Sequence, residues 1–97
     1  MRNIFYDPRA RESLALMLRS LGFYVHLHSY EYLVMKNGKI IATIYLHPSL
    51  NEIVINVYKF NPEAETYSNI IVEAIRRIDK GGNRIHVRRV PVHGDKV

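Results

Sequence analysis

The chain has 97 residues, of which 47% are hydrophobic and 24% are charged, and its formal net charge is +5. This length allows one domain, residues 1–97, with a single two-layer core. No stretch approaches 18 consecutive apolar residues, which excludes a membrane-spanning helix. The absence of cysteine excludes disulfides and thiolate metal sites. The first residues form no continuous apolar segment, so we expect no signal peptide and a cytoplasmic protein.

The first predicted element is a helix over residues 8–21. Asp7 is a suitable N-cap, and Pro8 suits the first helical position, where its missing N–H costs nothing. Apolar residues then recur at helical spacing. They are Leu14, Met17, Leu18 and Leu21. Gly22 follows as a C′ residue and ends the helix.

Residues 23–60 are predicted to form a β-meander with a two-residue turn at Asn37-Gly38, the strongest short hairpin signal. Alternating residues 24–35 and 40–46 flank this turn, and residues 53–60 form a third run. Counting residues back from the turn, we predict that Glu31 lies opposite Ile44, on the sheet face that should meet the helices. We therefore expect a bulge or break near Ser29-Tyr30, or Glu31 reaching the sheet edge.

A second helix is predicted to open at Asn61-Pro62, with a cap followed by an N1 proline, and to stop at Gly81-Gly82. A last strand runs over 84–90 before Pro91, and residues 93–97 are expected to be a flexible tail. The predicted fold class is α+β, in the order α-β-β-β-α-β. We expect a mainly antiparallel sheet of three to four strands with two helices packed on one face.

The other face of the predicted sheet is rich in tyrosine and histidine. Such a surface suits stacking of unpaired bases, and it equally suits self-association, because tyrosine is enriched at interfaces. Tyrosine also simply favours strands, which requires no binding role. The candidate residues for stacking or for an interface are Tyr24, His26, His28, Tyr32, Tyr45 and Tyr58.

Positive charge is concentrated at the end of the chain. Residues 1–75 hold seven basic and seven acidic residues, whereas residues 76–97 hold seven basic and two acidic ones. This asymmetry is typical of a polyanion-binding protein, although a solvated basic face or pairing with distant acids gives the same pattern. The candidate nucleic-acid-binding residues, expected on one surface, are Arg76, Arg77, Lys80, Arg84, Arg88 and Arg89.

The predicted element order resembles the core of restriction-endonuclease-like and Holliday-junction-resolvase-like nucleases. The segments that carry this resemblance are residues 21–25 and the run from Glu31 to Ala42. It implies that Glu31 stands for the first acid of a metal site. The positions of the acid-x-Lys motif read Ile44-Tyr45-Leu46, so the resemblance implies a non-catalytic relative, since metal-dependent cleavage needs those charged groups.

The portion over residues 8–80 is also similar in order to double-stranded-RNA-binding domains. That family carries its basic cluster near the start of the second helix. In this sequence Arg76, Arg77 and Lys80 lie late in the helix instead.

The leading hypothesis is therefore a small, non-catalytic protein that binds nucleic acid through its C-terminal basic cluster. The alternative is a homodimer or partner-binding subunit that associates through the tyrosine- and histidine-rich face. A third hypothesis is a nuclease-like or metal enzyme using Glu31 with His26 and His28. With no cofactor or catalytic motif in the sequence, we expect no cofactor, no metal and no catalytic residue. Abundant isoleucine and valine without glutamine favour a heat-adapted, archaeal or archaeal-viral source.

Overall fold

The computed structural model describes residues 2–59 and 62–91, which form two α-helices and five β-strands. The elements are α1 (Pro8–Ser20), β1 (Tyr24–His28), β2 (Glu31–Lys36), β3 (Lys39–His47), β4 (Glu52–Tyr58), α2 (Ala64–Asp79) and β5 (Arg84–Val90). The strands lie side by side in chain order, with β1 to β4 antiparallel and β5 parallel to β4. The fold is α+β, as predicted, but the sheet is mixed and has five strands instead of three or four.

Local sequence determines where α1 begins and ends. Asp7 caps the helix, because its Oδ1 accepts a hydrogen bond from the Arg9 backbone N–H at 2.9 Å. Hydrogen bonding from the Arg9 side chain also holds the pKa of the Asp7 carboxyl below its usual range. The helix ends at Ser20, one residue earlier than predicted. Gly22 follows with a φ of +100°, which a residue with a side chain rarely adopts.

The predicted first strand is two strands joined by a tight turn at Ser29 and Tyr30. Ser29 has a φ of +59°, and the turn brings His28 opposite Glu31. The carbonyl of Tyr30 accepts a hydrogen bond from the Leu46 backbone N–H at 2.9 Å. The break therefore lies where Ser29 interrupts the apolar pattern. It divides the predicted first strand into β1 and β2, so the sheet has one strand more than predicted.

A β-bulge at Ile41 changes the register between β2 and β3. Met35 lies opposite Ile40, as the turn at residues 37–38 predicts, but Val34 lies opposite Ala42. Ile41 is thus an extra residue, and both Ile41 and Ala42 are fully buried although they are adjacent in a strand.

Because of the bulge in β3, the side chains of β2 lie on the opposite faces of the sheet from those predicted. Tyr32 points into the core and is only 1% exposed, whereas Glu31 is exposed on the opposite face. The predicted positions of Tyr32 and Glu31 are therefore wrong, because a shift of one residue moves every later side chain to the other face.

Helix α2 begins at Ala64, so Pro62 precedes the helix and does not occupy its first position. Glu63 takes the N-cap position without a capping hydrogen bond from its side chain. The proposed cap Asn61 and the predicted tail lie outside the described residues. The helix ends at Asp79 and is followed by Lys80 with a φ of +52°. In the described part of the chain, neither helix has the length and apolar character needed to cross a membrane.

The core lies between the helices and one face of the sheet. Cross-strand pairing places Val25, Tyr32 and Val34 on this face, and β3 and β4 add aliphatic side chains. The buried residues contributed by β3 and β4 are Ile41, Ala42, Ile44, Leu46, Ile53, Ile55 and Val57. The cluster also includes Leu14 and Leu18 of α1 and Ile71, Ala74 and Ile75 of α2.

Candidate functional site

The face of the sheet opposite the core, called the open face here, has no buried side chain among its described residues. The residues of the open face are Tyr24, His26, His28, Glu31, Leu33, Met35, Ile40, Thr43, Tyr45, His47, Glu52, Val54, Asn56, Tyr58, Arg84, His86, Arg88 and Val90. Five of the six side chains predicted for stacking or for an interface lie there, the exception being Tyr32.

One row across the five strands joins two histidines to a tyrosine and a carboxylate. The register aligns His28, Glu31, Tyr45, Val54 and His86, in that order from β1 to β5. Side chains directly opposite one another in a sheet have Cβ atoms about 4.5–5.5 Å apart. This row therefore carries polar or aromatic groups on four of the five strands, with Val54 of β4 between Tyr45 and His86.

A second row carries hydrogen-bonding groups towards an arginine on β5. It aligns His26, Leu33, Thr43, Asn56 and Arg88. The Asn56 amide Nδ2 donates to the Thr43 hydroxyl at 3.3 Å. Arg88 is exposed and forms no ion pair with any residue that the structure describes.

Tyr32 is not available to a ligand, in contrast to its place among the predicted candidates. Its ring is buried in the core, and its hydroxyl donates a hydrogen bond to the Arg11 carbonyl at 2.8 Å. Burial in apolar surroundings raises the pKa of the Tyr32 hydroxyl far above its ordinary value. Tyr32 therefore links the sheet to α1.

Arg76 has a structural role in the turn that connects α2 to β5. Its Nη1 donates to the Asp79 carboxylate at 3.1 Å and to the Asn83 carbonyl at 2.7 Å. The Asp79 side chain is fully buried and also accepts from the backbone N–H groups of Gly81 and Asn83. The Asn83 side chain in turn accepts a hydrogen bond from Asn3 at 2.7 Å. This network fixes the start of β5 against the N-terminal segment.

Three other predicted basic residues, Arg77, Lys80 and Arg89, do not lie on the open face. Arg89 is on the core side of β5, where Nη2 donates to Glu65 Oε1 of α2 at 2.8 Å and Nε donates to Glu65 Oε2. This hydrogen bonding holds the pKa of the Glu65 carboxyl below its usual range. Arg77 and Lys80 are exposed on and after α2. The structure does not place the six residues on one surface.

Arg84 and Arg88 are the two predicted basic residues that reach the open face. Arg84 Nη2 lies 3.7 Å from Glu52 Oε2, and His86 Nε2 lies 2.7 Å from the same oxygen. Glu52 is thus shared between two partners, whereas Arg88 has no ion-pair partner among the described residues. Sequence reasoning missed that Glu31 and Leu33 belong to this face, because their placement depends on the unrecognised bulge at Ile41. It missed Glu52 because β4 begins one residue before the predicted strand.

A groove of about 390 Å³ opens at one end of the open face, where β2 and β3 meet the N-terminal segment. The groove, called the aromatic groove here, is lined by Tyr6, Tyr30, Glu31, Tyr45 and His47, together with residues 46, 48 and 49. Arg2 stacks on the Tyr6 ring and Arg11 on the Tyr30 ring, with guanidinium carbons 4.6 and 4.2 Å from the ring centres.

Glu31 and His28 face each other across β1 and β2, which brings together two of the three residues considered for a metal enzyme. Within residues 2–59 and 62–91, no group of three or more such side chains has the arrangement needed to hold a metal ion. Ile44 and Leu46, which occupy the acid-x-Lys positions, are buried in the core.

Comparisons with known proteins give no significant match to a family model, to a curated protein or to a solved structure.

Proposed function

We propose that this protein binds single-stranded nucleic acid on the open face of its sheet. The observation that carries the proposal is the row from His28 to His86, which carries aromatic side chains on three of the five strands, namely His28, Tyr45 and His86. Unpaired bases stack on aromatic side chains, and each such contact contributes about 1–3 kcal/mol. A sheet surface offers several of these side chains at regular spacing, so successive bases can be held along one path.

Arg88 and Arg84 are the groups suited to contact phosphates along this path. Both are exposed on β5, next to the histidine and tyrosine rows. A pair of phosphate contacts to a single strand gives a salt slope of about −1.4, since each contact contributes about −0.7. Affinity is then expected to fall about seven-fold between 50 and 200 mM salt. If all six predicted basic residues contacted phosphates, the loss would be about 300-fold.

Fluorescence anisotropy with labelled single- and double-stranded oligonucleotides at pH 8 tests this proposal. We expect the single-stranded probe to bind more tightly, and Arg88→Ala to weaken its binding and to flatten the salt slope. Arg77→Ala is the matched control, because Arg77 is also exposed but lies on α2, away from the open face. Equal effects of the two substitutions, or no binding at 50 mM salt, would overturn the proposal.

Self-association through the open face is the second candidate function. It is favoured by an apolar patch at the hairpin end of the face, where Tyr24, Met35 and Ile40 form one cross-strand row beside Leu33. Tyr24 and Ile40 are among the large apolar side chains that the fold leaves exposed. Light scattering after size exclusion distinguishes the two candidates. A dimer that Ile40→Lys converts to a monomer would support self-association, and a wild-type monomer would refute it.

A further inference from the structure

The aromatic groove contains one carboxylate, that of Glu31. Glu31 is exposed and takes part in no ion pair within residues 2–59 and 62–91. Tyr45 lies directly opposite it on β3, and both side chains line the groove. We propose that the aromatic groove binds one guanine base, which stacks on Tyr45 while its Watson–Crick edge donates hydrogen bonds to Glu31. This inference rests on the proposed function, and it specifies which base of a bound single strand would occupy the aromatic groove.

The choice of guanine follows from the chemistry of a carboxylate. An ionised carboxylate only accepts hydrogen bonds, and its two oxygens can accept two parallel donors. Guanine presents two adjacent donors, N1–H and the N2 amino group, on its Watson–Crick edge. Adenine and cytosine place an acceptor beside their amino group, and uracil or thymine has a single donor between two acceptors. With any base other than guanine, Glu31 would face an unpaired acceptor, which a binding site penalises.

Tyr45 is the tyrosine of the groove best placed to stack on a base. Tyr6 and Tyr30 each already carry a stacked guanidinium, from Arg2 and Arg11 respectively. The Tyr45 ring has no such partner in the described part of the chain. The volume of the groove also lies within the range of small-ligand pockets.

Local charge favours a nucleotide over an organic cation in the aromatic groove. Tyrosines around a carboxylate would also suit a cationic ligand. However, the Arg2 and Arg11 guanidiniums on the neighbouring rings repel a second cation and attract the phosphate of a nucleotide.

Calorimetric titration with GMP, AMP, CMP and UMP tests the inference directly, and oligothymidylates with one central G, A or C test it in a strand. We expect the guanine ligand to bind about ten-fold more tightly than the others, the size of one bidentate contact. Glu31→Gln should remove this preference, because the amide replaces one acceptor with a donor. The quantity to compare is the ratio of the affinity for the guanine ligand to the affinities for the other bases. Removing the negative charge of Glu31 would by itself raise the affinity for every nucleotide.

Two controls separate the possible outcomes. Glu73→Gln makes the same charge change at an exposed position of α2 and should leave the preference for guanine intact. Tyr45→Ser should weaken binding of all four nucleotides without changing their order.

Oligonucleotide binding without a preference for guanine would overturn this inference and leave the proposed function standing. GMP binding that depends on Glu31, without binding of any oligonucleotide, would support the groove and overturn the proposed function. Binding of methylguanidinium in place of nucleotides would overturn the inference in favour of a cation site.

Discussion

Replacement of Arg76 by alanine tests whether this residue belongs to the fold or to a binding surface. The substitution removes hydrogen bonds to the Asp79 carboxylate and to the Asn83 carbonyl. Hydrogen bonds that involve a charged group contribute about 1.5–3 kcal/mol each, and breaking a fully buried ion pair costs about 3–5 kcal/mol. The Arg76 side chain is 39% exposed, so solvent screening reduces its share. The backbone N–H groups of Gly81 and Asn83 also continue to support Asp79. We expect a loss of about 2 kcal/mol.

Urea unfolding followed by circular dichroism measures this loss. For a chain of this size, 2 kcal/mol corresponds to a decrease of about 1 M in the urea midpoint and of about 8–16 °C in the melting temperature. Arg77→Ala is the control, because Arg77 is adjacent in sequence but exposed, and its loss should change stability by less than about 0.5 kcal/mol. If the two variants were equally stable, the structural role of Arg76 would be refuted.

Three further predictions concern the core and α1. Tyr32→Phe removes one partly buried hydrogen bond and should lower the free energy of unfolding by about 1 kcal/mol at pH 7. Because burial raises the Tyr32 pKa, the wild type should lose stability above about pH 10 and the variant should lose less, as urea unfolding at pH 7 and 10.5 would show. Ile41→Ala should cost about 2–5 kcal/mol and Ile40→Ala less than about 1 kcal/mol in the same assay; equal losses would contradict the bulge. Asp7→Ala should lower the melting temperature more at pH 7 than at pH 3, because the capping carboxylate stabilises the fold fully above its unfolded pKa of about 4 and this contribution decreases as the pH falls through the lowered pKa of the folded state.

Elements that depend on a few adjacent residues could be predicted from the sequence. The start of α1 follows from Asp7 and Pro8, and the hairpin turn follows from the Asn37-Gly38 pair. The last strand has the predicted bounds, Arg84–Val90. In each case the preference for a turn, a cap or an extended backbone lies in the residues themselves.

The register of β2 could not be predicted, because it depends on two departures from the simple pattern. The turn at Ser29 and Tyr30 contains no glycine, although Ser29 adopts a positive φ. The bulge at Ile41 lies within an unbroken aliphatic run, where every residue suits either face. The pattern indicated an irregularity near Ser29 but gave no sign of the second one.

The distribution of charge along the sequence was a poor guide to the distribution of charge on the surface. Arg76 and Arg89 belong to the basic C-terminal segment, yet each is engaged by an acid of α2. Sequence distance concealed the second pair, since Glu65 lies 24 residues before Arg89. Of the predicted cluster, Arg84 and Arg88 therefore carry the proposed phosphate contacts.

The bulge at Ile41 links the stability of the core to the chemistry of the open face. Without the extra residue, the register set by the hairpin turn would direct Glu31 into the core and Tyr32 outwards. Burying an unpaired carboxylate costs several kcal/mol, and the core would also lose an aromatic ring. The arrangement with the bulge is therefore favoured by the residues of β2 themselves. The same arrangement places Glu31 beside Tyr45, so the residues that would read a base are positioned by the requirement to bury Tyr32.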